Sequence, residues 1–151
     1  MEPITLRELL EAVDGRLLTE GNDLDQVIAC VDTDSRKISQ GSLFIPLVGE
    51  RFDGHAYINA ALERGASGCL TARERESYQP GKYYVKVTNT LHAQWELARY
   101  SGRRFDIPVI AVTGSVGKTT TKDMIAAVLS TKYRVLKTEG NFNNTVGLPL
   151  T

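Results

Sequence analysis

Asp106-Ile-Pro-Val-Ile-Ala-Val-Thr-Gly-Ser-Val-Gly-Lys-Thr-Thr-Thr-Lys122 reads as a buried strand that runs into a glycine loop and then a helix. Val109 to Val112 is the apolar run, Thr113-Gly-Ser-Val-Gly-Lys-Thr119 follows it, and an amphipathic segment continues through Leu129. Gly114 and Gly117 lack a Cβ, so the backbone there can take positive φ and turn several N–H groups towards one anion. Lys118 adds a compact positive charge for outer phosphates and Thr119 offers a hydroxyl to Mg²⁺. The helix that begins there points its positive dipole end at the same place. This is the layout of a triphosphate cradle, with Gly114, Ser115, Val116, Gly117, Lys118, Thr119 and Thr120 as nucleotide-binding residues. Lys118 and Thr119 are its catalytic candidates, and Thr119 is also the metal candidate. The common spacing G-x-x-x-x-G-K-[ST] would put glycine at position 112, where this chain has Val112, so the loop is a shorter variant. The bland alternative is a glycine turn that happens to carry a lysine.

Working outward, 151 residues with 42% hydrophobic and 24% charged side chains allow one ordinary core or two small ones. Eighteen basic and eighteen acidic residues cancel, which leaves no global field for nucleic acid or an anionic membrane. Phosphate binding must therefore be local. No apolar run approaches the roughly 20 residues of a membrane span, and the first residues lack a basic region followed by an apolar one. A cytoplasmic monomer is expected. Cys30 and Cys69 lie in apolar strand-like segments without a C-x-x-C spacing, and read as buried reduced thiols. The sequence runs one helix and one strand past the glycine loop, and P-loop sheets need further parallel strands to cover both faces. The expectation is an amino-terminal piece of a longer protein.

The stretch ahead of the loop reads as a small α/β module. Thr5-Leu-Arg-Glu8 is a capping box, and Leu6, Leu9, Leu10 and Val13 follow at helical spacing. Strands are expected at 27–31, 43–48, 69–71 and 83–87, with Pro46 marking an edge or a bulge. A helix is expected from His55 to Arg64, closed by Gly65. Asn89 can cap a helix over 90–100 with Leu91, Trp95 and Ala98 on one face. With its strands complete by Val87, the first domain is drawn as 1–87 and the second as 88–151.

Several motifs now resemble a known family. Thr113-Gly-Ser-Val-Gly-Lys-Thr-Thr120 resembles the short ATP loop of the Mur ligases and the related folylpolyglutamate synthetases. Asp34-Ser-Arg36, Gly41-Ser-Leu-Phe44 and Gly49-Glu-Arg-Phe-Asp-Gly-His55 are similar to the uridine-nucleotide domain that precedes that loop in the Mur enzymes. Gly140-Asn-Phe-Asn-Asn144 with Gly147-Leu-Pro-Leu-Thr151 is similar to the branch that acts on UDP-MurNAc-tripeptide and D-Ala-D-Ala.

The resemblance implies an α/β fold: a small UDP-binding α/β domain, then the start of a P-loop domain with a mainly parallel sheet. It implies an ATP- and Mg²⁺-dependent amide ligase of peptidoglycan synthesis. ATP would phosphorylate the tripeptide carboxylate, and the D-Ala-D-Ala amine would attack the acyl phosphate. Such a step needs the repulsion between carboxylate and γ-phosphate neutralised and the two held in line. Ser35, Arg36, Gly49, Arg51, Asn141 and Asn144 become the substrate-binding candidates.

Each of these has a bland twin. Ser35 and Arg36 could form a polar turn, Gly49 and Arg51 a solvated one, and Asn141 and Asn144 could fix a loop through their amides. Asp53 and His55 read as a helix start more than as a site, and Phe44 as core more than as a stacking surface. The rest of the family's catalytic apparatus has no counterpart in this stretch, so the chain by itself is expected to be inactive. Rival readings are the ligase that adds the third peptide residue, a folate-type ligase, and a nucleotide-binding module without turnover.

Overall fold

The computed structural model describes residues 3–49 and 52–138. It divides into two compact units, Met1–Arg104 and Phe105–Thr151.

In the first unit, Ile4–Thr5 (β1) leads into a helix over Leu6–Ala12 (α1). The capping box forms as its residues require: the Glu8 N–H donates to Thr5 Oγ1 at 3.2 Å, and the Thr5 N–H donates to the Glu8 carboxylate at 2.7 Å. Short strands follow at Arg16–Leu17 (β2), Val27–Ile28 (β3), Val31–Asp32 (β4) and Leu43–Phe44 (β5). A 3₁₀ turn over Gly54–Tyr57 runs into a helix at Ile58–Glu63 (α2). Gly68–Thr71 (β6), Tyr83–Lys86 (β7) and the helix Thr90–Arg103 (α3) complete the unit.

The main sheet has the order β2-β7-β6-β5-β4, parallel throughout except for β2, which pairs antiparallel with β7 at one edge. β1 and β3 form a separate antiparallel pair. All of β6 and most of β7 are buried, as expected for parallel strands covered on both faces. Phe44, Ile58, Ala61, Leu62, Ala66, Cys69 and Tyr84 pack α2 onto one face of this sheet.

Several expectations change at the level of pairing. The single strand expected over 27–31 is two: Val27–Ile28 pairs with β1, and Val31–Asp32 turns to the main sheet beside β5. β5 lies inside the sheet and not at an edge. It stops at Phe44, and the Ile45 N–H makes one further bond to the Asp32 carbonyl at 2.9 Å before Pro46. Proline has no N–H to continue the ladder, so it ends the pairing instead of bulging it. The helix expected over 55–64 begins as the 3₁₀ turn, and Gly65 follows it at φ 117°.

The helix α3, placed after the boundary drawn at Thr88, lies in the first compact unit. It packs against α1, Tyr100 donates its hydroxyl to Glu8 at 3.0 Å, and the first compact unit runs to Arg104. Its buried face is Thr90, Ala93, Gln94 and Leu97, whereas Trp95 is 37% exposed. Spacings of three and four fit either stripe of this helix, and the choice was made by α1, a partner that helical periodicity does not name.

The described part of the second unit holds the helix Lys118–Ser130 (α4), which matches the expected segment. Residues 107–112 form no strand here, and Val109 and Ile110 are exposed. A strand exists by pairing, and among the described residues of this unit none lies alongside to accept its hydrogen bonds. Residues 134–138 likewise are not paired.

Candidate nucleotide and phosphate site

The glycine loop takes the backbone form its residues allow. Gly114 has φ 150° and Gly117 has φ 79°, and Gly117 is the residue immediately before the first turn of α4. Among the described residues, a Cβ at either position would meet nothing nearer than 3.7 Å, so the demand for glycine is conformational. The Thr121 N–H bonds the Gly117 carbonyl at 2.9 Å, which starts the helical ladder. The preceding N–H groups of that first turn have no partner within the helix, which is where the dipole and donors of a helix meet an anion. Lys118 folds back and its Nζ donates to the Gly114 carbonyl, so the ammonium lies over the loop. Ser115, Val116, Thr119 and Thr120 are all exposed, Val116 at 90%. Behind the loop, Lys122 Nζ donates to the Thr138 carbonyl at 2.6 Å and Asp123 pairs with Lys137 at 2.9 Å, which holds 137–138 along α4.

In the first unit the loops after β4, β5 and β6 leave from the same, carboxyl-terminal end of parallel strands, where open α/β sheets take ligands. Ser35 is half-buried and Arg36 exposed in the first of these loops. Arg36 is held in a two-point pair: its Nε and Nη2 donate to the Asp34 carboxylate at 2.9 and 2.8 Å. That pair, with the Arg36 N–H, keeps the Asp34 carboxyl well below the usual carboxylate range. Arg64, at the end of α2, donates to the Ser35 carbonyl at 2.6 Å. Sequence reasoning missed this brace, since 29 positions separate the partners and no motif joins them.

Gly49 lies in the second loop, where its N–H bonds the Phe52 carbonyl at 2.9 Å and the Phe52 ring covers its Cα. Phe44 is core, at 1% exposure, and carries no stacking surface. Asp53 caps the 3₁₀ turn by accepting the His55 N–H at 3.0 Å. Arg51, Asn141 and Asn144 lie outside the described residues.

Among the described residues no cluster of His, Cys, Asp and Glu is arranged to hold a metal ion, and no helix is long and apolar enough to cross a membrane. A cavity of about 880 Å³ opens beside Val13, Leu91 and Trp95. None of the described residues expected to bind nucleotide or substrate lines it, so it is separate from the loops just described. Cys30 is half-buried and Cys69 fully buried, both unpaired.

A mixed α/β domain with a mainly parallel sheet, followed by a glycine loop that opens a helix, defines the class of protein. Comparison with known proteins narrows it. The Mur ligase family catalytic domain matches residues 27–112, and the Mur ligase middle domain matches residues 112–151. This chain belongs to the Mur ligase family. It is 48% identical over 97% of its length to the UDP-N-acetylmuramoyl-tripeptide–D-alanyl-D-alanine ligase of Bacillus subtilis (strain 168), covering 32% of that protein. It superimposes on a crystal structure of MurF from Acinetobacter baumannii with a TM-score of 0.90 and 33% identity, over 99% of this chain and 32% of that one. The MurF ligase of Thermotoga maritima, solved in complex with ADP, matches 80% of this chain and 27% of its own, with a TM-score of 0.71 and 36% identity. The chain thus spans about a third of the length of the relatives it matches.

Proposed function

We propose that the whole protein is an ATP-dependent amide ligase that joins D-Ala-D-Ala to UDP-MurNAc-tripeptide in peptidoglycan precursor synthesis, working in the cytoplasm as a monomer. The observation that carries this is the glycine loop at the start of α4 with the Lys118 ammonium over it. Similarity to relatives whose names state that reaction supports it further.

Loop amides from Gly114 to Thr120 and Lys118 hold and neutralise the nucleotide's outer phosphates, so that the tripeptide carboxylate can approach without charge repulsion. ATP supplies the phosphoryl group that activates that carboxylate, through an acyl phosphate. The Thr119 hydroxyl is suited to Mg²⁺, which takes oxygen ligands and few of them from protein. Ser35, Arg36, Gly49 and Arg51 are the residues suited to the UDP portion of the substrate, and the amides of Asn141 and Asn144 are further candidates for substrate binding. By itself, at 32% of the length of its relatives, the present chain binds nucleotide without turnover.

The test is phosphate release by the full-length protein, dependent on ATP, UDP-MurNAc-tripeptide and D-Ala-D-Ala together. Lys118→Ala lowers the rate roughly 100-fold or more, the scale of removing one preorganised charge-stabilising donor. Calorimetric binding of UDP-MurNAc-tripeptide stays unchanged in that variant. An unaltered rate and ATP affinity would overturn the assignment of the loop.

A further inference from the structure

His55 is 7% exposed and both of its ring nitrogens are engaged. The chemistry of its partners fixes the ring. A carboxylate oxygen can only accept, so Nδ1, 2.7 Å from Asp53 Oδ1, carries the hydrogen. A backbone N–H can only donate, so Nε2, 3.0 Å from the Ala72 nitrogen, offers its lone pair. The other oxygen of Asp53 forms an ion pair with Arg73 Nη2 at 2.8 Å. Asp53 also bridges to Val48, and the Gly54 N–H bonds the Leu47 carbonyl at 2.9 Å. One buried imidazole and one carboxylate therefore tie the segment after β5 to the residues that leave β6.

Capping the 3₁₀ turn requires only the bond from the His55 N–H to Asp53. It requires neither a buried ring, nor a lone pair committed to Ala72, nor an arginine on the second oxygen. We propose that Asp53 and His55 are a positioning pair, holding Val48, Gly49 and Phe52 in register with Ala72 and Arg73 so that the loops at this end of the sheet meet a uridine diphosphate group preorganised. This rests on the UDP-substrate reading of the first unit. The pair acts through the backbone it holds and does not itself touch the ligand.

The experiment titrates uridine diphosphate into the 151-residue chain by calorimetry and records long-range ¹H–¹⁵N spectra of the imidazole, with His92→Gln removing the second histidine. Asp53→Asn keeps a good N-cap, because asparagine caps as well as aspartate. It should still weaken UDP binding about tenfold, the scale of losing one hydrogen bond to a charged group, while the thermal midpoint falls only by the share that the Asp53 charge contributes to the fold. In the wild type the spectrum shows hydrogen on Nδ1 alone; the variant keeps that pattern, because Nε2 still accepts from Ala72 and an amide oxygen still accepts from Nδ1, while the Nδ1 shift moves as its charged partner is lost. Should Asp53→Asn not fold, Arg73→Gln on the exposed side of the pair is read in the same two ways. Wild-type binding with unchanged affinity and unchanged imidazole signals in the variants overturns the positioning role while the UDP reading stands. A flat wild-type titration removes that reading and this inference together.

Discussion

Glu8 serves three partners at once: the Thr5 N–H at 2.7 Å, the Tyr100 hydroxyl at 3.0 Å and the Arg104 guanidinium at 3.7 Å. The Thr5 N–H is the largest of the influences that hold its carboxyl below the usual range, followed by Tyr100. Asp53 is lowered in the same way, first by the His55 N–H and then by the His55 ring. A carboxylate whose folded pKa is depressed stabilises the fold fully above its unfolded value, near 4, and that contribution goes as pH falls through the lower folded value. The wild type should therefore lose denaturant resistance from about pH 4 downward more steeply than a Glu8→Gln, Asp53→Asn double variant. Parallel curves for the two proteins between pH 6 and 3 would sink this account. The cysteines give a second prediction at this scale. Burial pushes the Cys69 thiol up to about 12, so it holds almost no thiolate at pH 8. Cys30, half-buried, should take up iodoacetamide in the native chain while Cys69 remains unmodified until the chain is unfolded, as peptide mass mapping would show.

Elements here are decided by partners. Leu97 is 3% exposed on the face of α3 that includes Ala93, whereas Leu91, one turn and a half away, is half-buried. Leu97→Ala should cost about 2–5 kcal/mol in chemical unfolding, the range for a leucine deleted from a packed site, and Leu91→Ala distinctly less. Equal losses would restore the face containing Leu91, Trp95 and Ala98. What could be read in advance follows the same division. The capping box at Thr5, the Asn89 cap and the start of α4 at Lys118 were legible because each depends on residues within four positions. The glycine loop was legible for the same reason, and it takes the positive φ angles at 114 and 117 that its composition allows. The splitting of 27–31 between two sheets, the interior position of β5 and the two-residue β1 and β2 were not legible, since strand pairing is set by distant segments. The Arg64 brace on Ser35 and the contact of His55 with Ala72 were hidden likewise, with 29 and 17 positions between the partners.

At the scale of the whole molecule, the limit of the first unit at Arg104 is a statement about what folds with what. The α/β module reads as finished by Val87 if only the sheet is considered. Yet α3 shields α1, and its Tyr100 and Arg104 reach the Glu8 carboxylate inside the same unit. Phe105 to Val112 carries several exposed apolar side chains, Ile107 and Ile110 both at 59%, and adds no paired strand. Ending the chain at Arg104 should therefore leave one cooperative unfolding transition, with a midpoint within a few degrees of that shown by the same unit in the longer chain. Ending it at Thr88 removes Ala93 and Leu97 from against α1 and leaves Leu6 and Leu9 with less cover. That truncation should lose at least about 2 kcal/mol, the scale of exposing one leucine-sized side chain, a large share of the 5–15 kcal/mol of an ordinary domain. Circular dichroism melts of the two truncations separate the boundaries. Equal stability would make α3 an appendage of the second unit, while a stable 1–104 beside a weakened 1–88 assigns it to the sheet domain that carries Ser35 and Gly49.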